Sequence, residues 1–314
     1  MAKGQAVPTA QETRNAMNLK LALSILILVA AQLPATTRAQ SRDTLQKIKD
    51  TGVISLGGRD ASFPFSYKTS SEGDPIGFSA DLCAKVVDAV KSKLGMPNLK
   101  VQYTIVTPAN RIALVQNGTV DLECSTTTNT TARAQQVDFA PTHFVGSIAA
   151  VVKKGSGVNK LQQIDGKTIA TVTGSTAIQL LRAYRRNEQV QFTEISGKDI
   201  ADAFLLLSSD RAVAMILEDV QLAGLIARSG NPADYVILEE RIRDEPYGFM
   251  LRKEDPQFKA LVDETLGKAM KSGEINELYA KWFSAPVPPN GVNLRFPMPN
   301  AVKEAYRSPN NRGI

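Results

Sequence analysis

The chain has 314 residues, 43% of them hydrophobic and 22% charged, with a formal net charge of +6, one histidine and two cysteines. A mild basic excess without a lysine-arginine stripe interleaved with aromatics argues against a nucleic-acid surface. One histidine with two distant cysteines excludes zinc ligation at known spacings, and the missing Gly-x-x-x-x-Gly-Lys-Ser/Thr run excludes a P-loop.

The first forty residues hold a short apolar run, residues 21–31, preceded by Lys20 and followed by "PATTRAQ". This is the pattern of a secretory signal peptide, residues 1–39, cleaved after Ala39. A membrane span needs about 18 to 20 apolar residues, and this run is shorter and broken by Gln32 and Pro34. Cleavage removes Lys3, Arg14, Lys20 and Arg38 against Glu12, which leaves a formal charge of +3 on a product expected to be soluble in the periplasm. What remains exceeds one typical core of about 100 to 150 residues, so two lobes are expected.

In chain order, "TLQKIKDTG" predicts a short helix stopped at Gly52, and "VISLGG" a buried strand. "FSADLCAKVVDAVKSKLG" predicts a helix capped by Ser79 and stopped at Gly95, with Leu82, Val86 and Val90 on one face. "KVQYTIV" is a strand. "TPANRIALVQNG" predicts a helix with Thr107 as N-cap, Pro108 at N1 and a stop at Asn117-Gly118, and "TVDLEC" is a third strand. The alternation returns in "TIATVTGSTAIQLLRAYRR" and "DIADAFLLLSSDRAVAMILEDVQLAGLIARSG". Strands alternating with helices imply right-handed βαβ units, mostly parallel sheets and an α/β class. Two extended apolar stretches, "FVGSIAAVVKKG" and "EPYGFMLRKEDP", read as crossings between lobes, and "QFKALVDETLGKAMKSGEINELYAKWF" as a helix pair followed by a proline-rich tail that wraps the surface. Cys83, near a helix start, and Cys124, at a strand end, are compatible with either a disulfide or two buried thiols.

Two α/β lobes with two crossings make a cleft, and in open α/β sheets ligands bind beyond the carboxyl ends of strands, where helix N-termini aim N–H groups. Arg111, the fourth residue of its expected helix, is placed to hold a carboxylate through two parallel hydrogen bonds, although the same position also suits a solvated helix face. "CSTTTN" brings Thr126 and Thr128 to the next strand end; an ordinary polar loop with Thr131 as helix cap is the plainer alternative. "TGST" opens a helix with Ser175 and Thr176. "MILED" ends a strand with Glu218 and Asp219, where a carboxylate accepts the protons of an ammonium group or caps a helix. Arg59 follows the first buried strand, where a charge faces the same edge as Arg111, although a surface loop is the plainer alternative. Two arginines, one carboxylate and several hydroxyls suit a zwitterion with an additional negative charge, an acidic amino acid. His143 has no partner arrangement for catalysis and reads as structural. The Asn-x-Thr matches at Asn117 and Asn129 read as a turn and a cap.

Seven stretches in order, "GRDASFPFSY", "IGFSADLC", "NRIALVQNGTVDLECSTTTN", "GKTIATVTGSTA", "SDRAVAMILEDVQLAG", "YGFMLRKEDPQF" and "SGEINELYAKWF", cover most of residues 44–283. On them the chain resembles the periplasmic solute-binding proteins of polar amino-acid ABC transporters (extracellular solute-binding protein family 3), in particular the glutamate/aspartate binders. The resemblance implies a two-lobed periplasmic binding protein fold of type II with a two-crossing hinge. Residues 40–147 and 243–314 would form the first lobe and residues 148–242 the second. It implies a monomer without cofactor, metal or catalysis that binds L-glutamate or L-aspartate and delivers it to an inner-membrane ABC permease. Arg111 would hold the α-carboxylate with Thr126, Thr128, Ser175 and Thr176, Asp219 the α-ammonium, and Arg59 the side-chain carboxylate. Two positions depart: Ile200 stands where these binders carry a histidine, and Pro108 where they carry a serine. The rival expectations are a binder of another anionic or polar amino acid, and an enzyme on the same scaffold, of the cyclohexadienyl dehydratase type, with Glu218 as its general acid.

Overall fold

A computed structural model describes residues 43–314; the expected signal peptide lies outside them. The first part of the chain runs α1 (Thr44–Thr51), β1 (Val53–Gly58), the short hairpin β2 (Ala61–Ser62) and β3 (Ser66–Tyr67), α2 (Phe78–Leu94), β4 (Lys100–Ile105), α3 (Arg111–Gln116), β5 (Leu122–Glu123), α4 (Thr131–Ala134), β6 (Asp138–Phe139) and the long β7 (Phe144–Lys153). Then follow β8 (Lys167–Val172), α5 (Thr176–Glu188), β9 (Phe192–Gly197), α6 (Ile200–Ser208), β10 (Ala214–Glu218), α7 (Asp219–Ala227) and β11 (Tyr235–Ile237). The chain returns through β12 (Asp244–Tyr247), β13 (Met250–Leu251), α8 (Pro256–Ser272), α9 (Glu274–Tyr279) and α10 (Asn300–Arg307).

Two sheets result. The first has the order β4-β1-β5-β13-β6 and the second β11-β7-β10-β8-β9. β1 pairs in parallel with β4 and β5, and β8 in parallel with β9 and β10, as crossover connections require. Antiparallel partners come from the strands that cross between lobes. β12 pairs with the start of β7, Tyr247 opposite Phe144 and Asp244 opposite Ser147, while the rest of β7 enters the second sheet beside β10. The two stretches expected to cross therefore run side by side, hydrogen-bonded to each other.

The first lobe is centred on an aromatic cluster. Phe65 meets Phe144 edge-on at 4.8 Å between centroids and Phe283 at 5.2 Å, with Phe78 and Tyr247 completing the group. Such edge-to-face contacts contribute beyond the area they bury. In the second lobe, aliphatic clusters line the two faces of the sheet, one around Ile148, Ile169 and Ile216, the other around Val151, Val172 and Leu222. Strands buried on both faces explain why "MILE" and "IATV" are nearly continuous apolar runs.

Several expected termini shift. α2 begins at Phe78 behind Gly77, not at a Ser79 cap, because the N–H groups of Phe78 and Ser79 already donate to the carbonyls of Pro64 and Phe65. A Cβ on Gly77, whose φ is +135°, would lie 2.3 Å from the Phe65 carbonyl oxygen, so only glycine admits that approach. Residues 108–110 form a turn rather than helix, and Arg111 is the first helical residue instead of the fourth; Thr107 and Asn110 exchange side-chain hydrogen bonds across the turn. Thr130, not Thr131, caps α4. Cys83 and Cys124 form a disulfide that ties α2 to the end of β5. The tail contains a helix that the sequence reading did not place, α10, with Val302, Ala305 and Tyr306 buried on one face.

Candidate functional site

A small, half-enclosed cavity lies between the lobes. The first lobe lines it with Arg59, Pro108, Arg111, Thr126, Thr128 and Arg133, the second with Val172, Ser175, Thr176, Ile200, Leu217, Glu218 and Gln221. Each polar group arrives as the physics of open sheets demands: Arg59 directly after β1, Thr126 and Thr128 after β5, Ser175 and Thr176 after β8, Glu218 at the end of β10.

Six of the seven residues singled out from sequence, Arg59, Arg111, Thr126, Thr128, Ser175 and Thr176, meet in this cavity. Asp219 does not line it. Its Oδ1 accepts from the Ser147 and Val220 N–H groups at 3.1 and 2.8 Å, and its Oδ2 lies 3.4 Å from Arg241 Nε, so the carboxylate is spent on the hinge strand β7 and on a second-lobe arginine. Neighbouring residues at a strand end project to opposite sides. Glu218 faces the cavity in its place.

Charge sets the character of the site. Arg59 and Arg111 are buried, 2% and 4% exposed. Desolvation, then repulsion from Arg111, pulls Arg59 down to about 10; desolvation lowers Arg111, opposed first by Glu123. Arg59 Nε and Nη2 and Arg111 Nε have no hydrogen-bond partner among the described residues. Glu123, fully buried behind Arg111 at 3.9 Å, accepts from Thr127 Oγ1 at 2.9 Å, and burial raises its pKa. Burial and then the neighbouring Glu245 push Glu218 up to about 7. Glu245 itself accepts from Thr176 Oγ1 at 2.7 Å and from both Arg243 Nε and Nη2. With Glu245 matched by Arg243, the guanidiniums of Arg59, Arg111 and Arg133 stand against the carboxylates of Glu123 and Glu218, leaving one positive charge in excess when both acids are ionised. Buried charge of one sign without compensation is costly, and an anion offsets it.

Arg133 was not singled out from sequence. It is the third residue of α4, donating Nη1 to the Thr128 carbonyl and Nη2 to the Gly174 carbonyl, both at 2.9 Å, and so it bridges the two lobes at the cavity. Desolvation, then repulsion from Arg111, lowers it to about 10. The available signal was an arginine one helical turn beyond a hydroxyl-rich strand end, the same logic that found Arg111. Across from it, Gly174 has φ +82°, and a Cβ there would lie 2.7 Å from the Pro108 carbonyl oxygen.

Among the described residues no His/Cys/Asp/Glu group suited to a metal ion occurs, and no helix is long and apolar enough to cross a membrane. His143 is fully buried and tilted against Phe249 at 4.2 Å, away from the cavity lining.

Comparison with known proteins agrees with this architecture. The chain is 43% identical to the L-glutamate/L-aspartate-binding protein of Pseudomonas aeruginosa over 94% of its length and 98% of that protein's. It is 38% identical to the glutamate/aspartate import solute-binding protein of Escherichia coli, covering 86% of this chain and 89% of that one. A crystal structure of a mutant ArgBP from T. maritima superposes with a TM-score of 0.67 at 25% identity, covering 76% of this chain and 98% of the other. Residues 54–285 match the family described as bacterial extracellular solute-binding proteins, family 3. With two hinged α/β lobes, a polar cavity between them and this match over most of its length, the chain belongs to the bacterial extracellular solute-binding proteins, family 3.

Proposed function

We propose that the chain is the periplasmic substrate-binding component of an amino-acid ABC importer. It takes L-glutamate or L-aspartate between its lobes and presents the closed form, as a monomer, to a membrane permease. One observation carries the reading: three guanidiniums, Arg59, Arg111 and Arg133, and one carboxylate, Glu218, line a single cavity between two lobes. An acidic amino acid has two carboxylates and one ammonium, and offsets the site's excess positive charge. The relatives at 43% and 38% identity, both glutamate/aspartate-binding proteins, support the same ligands.

In this reading Arg111 and Arg133, with Thr126, Thr128, Ser175 and Thr176, hold the α-carboxylate, and Arg59 reads the side-chain carboxylate. Glu218 rather than Asp219 accepts the ammonium. Residues 40–147 with 243–314 form one lobe and 148–242 the other; residues 1–39 direct export. Contacts from both lobes stabilise the closed state, so affinity measures the difference between states. Isothermal calorimetry with L-glutamate, L-aspartate, L-glutamine and succinate tests it. The two acidic amino acids should bind most tightly, and a preference for the neutral amide would overturn the ligand assignment. Glu218, held near neutrality, favours a second reading, a dehydratase with that carboxyl as general acid. Aromatic product from prephenate or arogenate would establish it.

A further inference from the structure

We propose that residues 309–314 are a positioning element for the ligand-binding arm, residues 126–133, so that ligand affinity depends on a tail that does not line the cavity. The proposal rests on the reading of that cavity as the ligand site. Thr128 and Arg133 both line it, and the backbone between them is clasped on two sides. On one side it follows the hinge: the Asn129 N–H donates to the Pro246 carbonyl, the Gly248 N–H to the Thr127 carbonyl, and Thr128 bridges Tyr247.

The tail holds the other side. The Ile314 N–H donates to the Asn129 carbonyl at 3.1 Å, and the Ile314 backbone oxygen accepts from the Thr131 N–H at 2.9 Å and from Thr131 Oγ1 at 3.2 Å. Asn129 Nδ2 donates to the Asn311 carbonyl at 2.8 Å, and the Thr142 N–H to the Asn310 carbonyl at 2.9 Å. Asn129 is 1% exposed beneath this cover. The polypeptide anchoring the tail is itself fixed, because α10 buries Val302, Ala305 and Tyr306, and Tyr306 Oη donates to the His143 carbonyl at 2.9 Å. The arm therefore has a hinge edge and a tail edge. Losing the second frees the residues on which Thr130 caps α4 and Arg133 is aimed. Binding groups must be held to within about 0.5 Å for their full effect, and the tail supplies that constraint from behind.

The test compares the full chain with a chain ending at Ser308 and with Gly313→Val, by calorimetry with L-glutamate and L-aspartate well below each protein's melting temperature. A Cβ at position 313 would meet Asn129 Oδ1 at 2.8 Å and the Asn129 carbonyl oxygen at 3.2 Å, so the larger valine crowds the contact between tail and arm without shortening the chain. Both variants should bind the two ligands at least about tenfold more weakly. The peptide Pro-Asn-Asn-Arg-Gly-Ile, added in excess to the shortened chain, should restore affinity. A tail that only stabilises the fold lowers the melting temperature and leaves Kd as in the full chain; that result overturns the proposal. If the shortened chain does not fold, Gly313→Val decides by the same criterion. Failure of the full chain to bind either ligand overturns the ligand reading and this proposal together, whereas equal binding by all three chains overturns this proposal alone.

Discussion

Arg133 and Gly174 meet across the cleft, the guanidinium Nη2 donating to the glycine carbonyl at 2.9 Å. The same glycine sits at φ +82° against Pro108 and Ala109, where a Cβ would lie 2.7 and 2.8 Å from backbone atoms. Gly174→Ala is therefore expected to prop the lobes apart. Glutamate affinity should fall about ten- to a hundredfold, roughly 1.4 to 2.8 kcal/mol, and small-angle scattering should show ligand no longer compacting the protein. Unchanged affinity would mean that these segments need not approach for binding.

Arg111 and Arg59 are expected to fail differently. Arg111→Ala strips buried Glu123 of its main opposing charge as well as removing the proposed partner of the ligand's α-carboxylate, so about 3 to 5 kcal/mol is at stake. Binding of every amino acid should be lost and the melting temperature lowered. Arg59→Ala should weaken acidic ligands more than neutral ones, since it lies nearer the side-chain end in the proposed pose. Calorimetry with glutamate and glutamine on both variants checks the contrast; equal losses for Arg59→Ala would remove it from the side-chain role.

Binding is expected to depend on pH through Glu218. Its pKa of about 7 in the unliganded site means that near pH 6 most molecules must lose a proton before the carboxylate accepts an ammonium. Glutamate affinity should weaken as pH falls below about 7, approaching tenfold per unit, with proton release on binding measurable as a buffer-dependent enthalpy. Glu218→Gln should flatten that profile and lower affinity at pH 8. A flat profile in the unaltered protein would place the ammonium elsewhere.

How far the sequence revealed this molecule depends on the range of the interactions involved. The alternation of strands and helices, the two crossings and most of the cavity were legible, because apolar periodicity and the position of polar residues after buried strands are local properties. Asp219 does not line the cavity, because a two-residue alternation decides which member of "ED" faces it, and its phase depends on which face of β10 meets the other lobe. Ser79 looked like a helix cap, yet residues 64 and 65 already satisfy those N–H groups, a partnership separated by more than ten positions. α10 was hidden by prolines on either side, although Val302, Ala305 and Tyr306 show helical spacing.

The Cys83–Cys124 disulfide encloses a separation of 41 residues. On the chain-entropy account, a loop of that size removes about 4 kcal/mol of freedom from the unfolded state. The variant with both cysteines replaced by alanine is expected to lose close to that amount in urea unfolding. The bond also fixes the strand end that starts the arm carrying Thr126 and Thr128, so glutamate affinity should drop in the same variant. Loss of stability without loss of affinity would confine the disulfide to the fold.

His143 gives the folded state an acid liability. Burial lowers it from 6.5 to about 3, so between those values the unfolded chain binds a proton that the native protein does not. Stability from this group is fully present above pH 6.5 and is lost as pH falls, by about 1.4 kcal/mol per unit. Glu218 acts in the opposite sense, since its raised pKa makes the unliganded protein more stable as pH drops from about 7 toward 4.5. The two effects oppose each other across the overlapping window, and a variant is needed to separate them. His143→Phe keeps an aromatic ring against Phe249 and removes the titration; any overpacking cost is independent of pH and cancels in the comparison. Relative to its parent, the variant should gain about 2 kcal/mol between pH 6.5 and pH 5 in urea unfolding. Parallel curves for the two proteins would mean that His143 is protonated where it lies.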